Sequence, residues 1–73
     1  MAKTGGDGVY KIVEVVGSSS KSWEDAANVA VAAAAKTLRD LRIAEVTKLD
    51  MKVEDGKVVA YRARVSLSFK YES

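Results

Sequence analysis

Residues 59–71, VAYRARVSLSFKY, alternate without a break between two sets of side chains. Val59, Tyr61, Ala63, Val65, Leu67, Phe69 and Tyr71 form one set, and Ala60, Arg62, Arg64, Ser66, Ser68 and Lys70 form the other. A period of two over that length describes an extended strand with one packed face and one polar face. The strand is expected from about Lys57 to Tyr71. Asp55-Gly56 just before it is the signature of a tight hairpin turn. The run RIAEVTKLDMKVE is then the antiparallel partner, a second strand from about Arg42 to Glu54. Regular alternation along it would place Ile43, Glu45, Thr47, Leu49, Met51 and Val53 on one face.

VYKIVEVVG, residues 9–17, is rich in β-branched residues and reads as the first strand, stopping at Gly17. Its alternation puts Tyr10, Ile12, Glu14 and Val16 on one face and Val9, Lys11, Val13 and Val15 on the other. Between the first two strands a helix is expected from Trp23 to Asp40. Ser22 stands at its N-cap with Asp25 three residues on, and Glu24 and Asp25 suit the positive end of the dipole. Lys36 and Arg39 fall near its other end. The junction LRIAEV, residues 41–46, then passes from helix to strand with no glycine, proline or polar turn in between. The order is β-α-β-β, a single α+β domain over residues 9–73 behind a small, polar, glycine-rich tail over residues 1–8 that is expected to be disordered.

Trp23, Ala26, Ala27, Ala30, Ala34, Leu38 and Leu41 make a core stripe at helical spacing, with Trp23 as a packing anchor. Val29, Val31, Ala32, Ala33 and Ala35 carry the apolar surface nearly all the way round. A helix of that kind is buried on more than one side. In a chain of 73 residues the second side must come from another copy, with the alanines permitting close backbone approach. Small size points the same way, because such a domain buries only about 60% of its unfolded surface. With no Cys and no His, neither disulfides nor Cys/His zinc sites stabilise it.

The same composition removes most catalytic chemistry. No Cys–His or Ser–His pair exists, and no phosphate-binding glycine loop precedes a helix. Glu14, Glu45 and Asp50 read as salt-bridged sheet residues rather than an acid–base pair. The chain is therefore expected not to be an enzyme. Net charge is only +2, from 12 basic and 10 acidic residues, which argues against nucleic acid. The basic ladder of Arg62, Arg64 and Lys70 also lacks interleaved aromatics for base stacking, and acids such as Glu45 are expected to balance it. No apolar run approaches the roughly 18 residues of a membrane span. A cytoplasmic location is expected.

The strand VYKIVEVVGSS, the helix start SWEDAA, the helix end KTLRDLR, and the segments IAEVTKLDM and YRARVSLSFKY together resemble the dodecins over about residues 9–71. The resemblance implies a three-stranded antiparallel sheet that partly wraps the helix, assembled as a hollow homododecamer. It also implies flavin held in pairs at two-fold interfaces, stacked on a tryptophan at the start of the second strand and hydrogen-bonded by a glutamine on the third. In this chain Ile43 takes the tryptophan's place and Arg62, nineteen residues later, takes the glutamine's. Isoleucine has no π-face, and arginine donates hydrogen bonds but accepts none. Asp50-Met51 and the closing FKY look most like the tryptophan-lacking branch, which is associated with calcium. The expected function is binding and storage of a small ligand or ion by a self-assembled shell. Calcium or another divalent cation is the preferred cargo, with ligand residues unassigned and flavin bound only weakly. The alternatives are riboflavin or FMN sequestration and a structural assembly without cargo.

Overall fold

The computed structural model describes residues 8–71, so the tail expected over residues 1–8 lies, apart from Gly8, outside the described residues. The elements run β1 (Tyr10–Ser19), α1 (Trp23–Ala35), β2 (Leu41–Glu54) and β3 (Lys57–Lys70). They build a three-stranded sheet in the order β1-β3-β2, antiparallel at both contacts. The turn expected at Asp55-Gly56 is present, and both residues take positive φ, 53° and 75°. Two such residues in succession give the backbone twist that matches a two-residue hairpin.

Ser22 caps α1 from an extended conformation and accepts the Asp25 N–H at 3.0 Å. The Asp25 carboxylate does not complete a reciprocal box. It accepts instead from the Ser19 hydroxyl at 2.7 Å and so ties the helix start to the end of β1. The helix stops at Ala35, five residues short of the expected Asp40. The Ala34 carbonyl there receives the Thr37 and Leu38 N–H groups and the Thr37 hydroxyl, at 3.0, 2.8 and 3.3 Å. A side-chain hydroxyl competing for a helical carbonyl loosens the ladder. Asp40 then turns the chain at φ 56°, a left-handed conformation that Asp tolerates better than most residues. The junction thus has a polar turn after all, and the last helical turn holds no basic residue.

The core lies between α1 and the β1–β3 half of the sheet. Ala26, Ala30 and Ala34 of the helix meet Ala63, Val65 and Leu67 of β3, with Val15, Ala27, Val31, Leu38 and Leu41 packed round them. The alanines expected at a contact between copies therefore split. Ala26, Ala30 and Ala34 make the close approach to their own sheet, while Val29, Ala32, Ala33 and Ala35 face outward. Gly17 does not end β1. It sits inside the strand opposite Ala63, where a Cβ would overlap the Ala26 carbonyl oxygen.

β2 departs from regular alternation. Arg42 and Thr47 are extra residues against β3, and Val59 is an extra residue against β2. Each such bulge reverses the facing of the residues beyond it. Paired residues share a face, so Leu41, Ala44, Val46, Leu49 and Met51 lie on the helix side, with Ile43, Glu45, Lys48, Asp50 and Lys52 on the outer side. The expected grouping of Ile43 and Glu45 with Leu49 and Met51 fails at Thr47. The Thr47 hydroxyl donates to the Arg64 carbonyl across that bulge at 3.3 Å. The hairpin arm runs past the helix in a molecule 57 Å long, leaving Val46, Leu49, Met51 and Val53 uncovered in one chain.

Candidate functional site

The outer face of the sheet carries both residues singled out in the sequence. Its cross-strand rows read Ile12–Ser68–Ile43, Glu14–Ser66–Glu45, Val16–Arg64–Lys48 and Ser18–Arg62–Asp50, each in the order β1, β3, β2. Ile43 reaches this face because the Arg42 bulge reverses the strand between Leu41 and Ile43. There Ile12 joins it on the far side of Ser68. The two isoleucines are 62% and 56% exposed, a pair of aliphatic side chains with no cover in one chain. Ile12 belongs with Ile43, and the outward alternation of the first strand was the signal for it.

Arg62 and Ile43 stand at different ends of the face. Six residues of β3 separate Arg62 from Ser68, about 20 Å at strand rise, so one chain does not bring the two together. Arg62 is engaged on the spot. Its Nε and Nη2 donate to Oδ1 and Oδ2 of Asp50, each at 2.7 Å, in a two-pronged pair. The partner is Asp50 and not Glu45, because the Thr47 bulge brings Asp50 opposite Arg62. Glu14 and Glu45, expected to be salt-bridged, have no ion pair among the described residues.

The Asp50 backbone is held from the opposite side. The Trp23 indole N–H donates to its carbonyl at 3.0 Å, and the ring stands edge-on to Tyr61 at 5.1 Å between centroids. Trp23 is thus the packing anchor expected. It fixes the helix start to the arm, beneath the strand that presents Asp50.

Hydrogen bonding from Arg62, helped by the positive charge of Arg62 and Arg64, holds the Asp50 carboxyl below its usual range against the opposing effect of desolvation. The pair therefore persists at all pH values above the ordinary carboxylate range and disappears only as pH falls through the depressed Asp50 titration. Both side chains are about half exposed, so its direct contribution to stability is small. Carbon-detected NMR should find Asp50 titrating below about 3.9. Arg62→Gln should bring it back toward that value, and an unchanged titration in the variant would show that the pair does not form in solution.

The arrangement offers no catalytic group: a carboxylate neutralised by arginine, two isolated glutamates, and no nucleophile with a base beside it. The dodecin family model matches residues 9–72. The chain belongs to the dodecin family. A calcium dodecin of Mycobacterium tuberculosis is 40% identical over 62 residues, covering 85% of this chain and 87% of that protein. A solved dodecin from Streptomyces coelicolor superposes with a TM-score of 0.86 at 35% identity, over 93% of this chain and 97% of its own. The solved calcium dodecin of M. tuberculosis, described as calcium-chelating with a novel calcium-binding site, gives 0.78 at 42% identity over 88% and 91%. Dodecins are small ligand-binding proteins rather than enzymes, and they form oligomers. The dodecin fold here contains no helix, among the described residues, long and apolar enough to cross a membrane.

Proposed function

We propose that copies of this chain close into a homododecameric shell that binds and stores a divalent cation, calcium first, and takes flavin only weakly. The observation that carries this reading is the state of the two positions where the family resemblance puts flavin contacts. Ile43 offers area without a π-face, and Arg62 is committed to Asp50 through both of its prongs. The M. tuberculosis relative that bears calcium in its name supports the choice of cargo.

Among the described residues, one chain holds no ready-made calcium cage. Calcium takes six to eight oxygens, and no group of three Asp, Glu, His or Cys side chains that could hold a metal occurs among the described residues. We take its ligands to be assembled from more than one copy. Assembly itself is supported by uncovered apolar surface on both sides of the sheet: Ile12, Val16 and Ile43 outside, Val46, Leu49 and Met51 on the arm.

Native mass spectrometry of protein purified without added ligand, then equilibrated with calcium, tests the reading. The expected result is a homododecamer that gains calcium in a fixed ratio and loses it to a chelator. A bare homododecamer after calcium exposure would reject storage of this ion and favour an assembly without cargo. A monomer or dimer would reject the shell.

A further inference from the structure

Arg62 and Arg64 stand two residues apart on the outer face of β3, yet of the two only Arg62 has a carboxylate within 4.0 Å among the described residues. Its partner is fixed from two directions. The Thr47 bulge sets Asp50 in register with Arg62, and the Trp23 indole N–H holds the Asp50 carbonyl at 3.0 Å from the helix side. Stability alone does not account for so well placed a pair, because both side chains are about half exposed and an exposed ion pair contributes little. What the pair does change is the chemistry that the outer face presents. Asp50 cancels the charge of Arg62, engages its Nε and Nη2, and turns the guanidinium toward β2.

An arginine left free on a sheet offers a fork of donors to any ligand that carries hydrogen-bond acceptors. Bonds assisted by its charge are the strong ones. With Asp50 opposite, such a ligand must compete with a carboxylate already bound through two prongs, and it loses much of what the arginine would supply. We infer that Asp50 is a specificity-determining residue: by occupying Arg62 it keeps planar ligands with carbonyl acceptors, flavin among them, from being held at that end of the outer face. The inference rests on the reading above that flavin is met there. It traces weak flavin binding to a residue outside the two altered positions, so that Arg62 is a poor contact because of its neighbour and not by its own chemistry alone.

Riboflavin, which is uncharged, is the probe, and quenching of its fluorescence on titration with the full-length protein is the readout. Native mass spectrometry first establishes that parent and variants share one assembly. Asp50→Ala is expected to raise riboflavin affinity about tenfold, the scale of one charge-assisted hydrogen bond. Asp50→Asn, which keeps the shape and one acceptor oxygen, should give a smaller rise in the same direction. Misfolding does not produce a gain of affinity, so either rise is informative. In the double variant, Asp50→Ala with Arg62→Ala, the gain should vanish, because the freed guanidinium is its source. No gain in either single variant overturns the inference, and so does a gain that survives the removal of Arg62. A parent smaller than a homododecamer is a different failure: it rejects the shell, and the inference falls with it. An intact shell without the gain leaves calcium storage standing.

Discussion

Replacing Gly17 with alanine is expected to lower stability by at least about 3 kcal/mol, at or beyond the upper end of the usual overpacking range. The added Cβ would overlap the Ala26 carbonyl oxygen and lie 2.9 Å from the Ala30 Cβ and 3.0 Å from the Ala30 nitrogen. Two of those three atoms are backbone, so no rotamer change clears them, and α1 must lift from β1. Lifting it opens the layer of Ala26, Ala30 and Ala34, half of the buried core. A domain of this length is stable by only roughly 4 to 11 kcal/mol at ordinary values per residue. The sign is the sharp part of the expectation, because Gly→Ala in an unstrained strand stabilises by about 0.4 to 1 kcal/mol through the unfolded chain. Urea unfolding followed by circular dichroism at fixed protein concentration decides it. A midpoint equal to or above that of the parent would show that helix and strand do not approach as closely as the structure has them.

Gly17 also shows where the sequence was legible and where it was not. The strands, the hairpin turn and the Ser22 cap were readable because each rests on a local rule about period, φ or a single hydrogen bond. A glycine at the end of a β-branched run carries two local meanings, a stop or a close approach. Only the helix packed across it selects between them. The helix end had the same character. Lys36 to Asp40 continue an acceptable helical pattern, and it is the Thr37 hydroxyl and the Asp40 turn that break it.

The site was legible in its residues and illegible in its pairing. Ile43 and Arg62 were found by position, and both do lie on the outer face. Asp50 was a salt-bridged sheet residue as expected, but its union with Arg62 depends on Thr47 standing as an extra residue in a run of good strand formers. Nothing in TKLDM marks a bulge, since neither glycine nor proline is present.

Leu67→Ala is expected to cost about 3 kcal/mol, within the range of 2 to 5 for a buried leucine truncated in a packed core. Leu67 has no exposed surface, and among the described residues it and Val65 are the largest fully buried side chains. This variant therefore calibrates full burial in the molecule. Leu49 is the informative comparison, because it is 53% exposed in one chain. Were the chain to act alone, Leu49→Ala would remove a half-solvated side chain and cost well under half as much, given about 25 cal/mol per Å² of apolar area. Were neighbouring copies to cover the arm, its cost would approach that of Leu67→Ala, and the unfolding midpoint would depend on protein concentration, as it must when folding is coupled to association. The shell predicts the second result. Equal, concentration-independent unfolding of the parent and Leu49→Ala would mean that the apolar face of β2 stays in water, and the case for assembly would then rest on the outer face of the sheet alone.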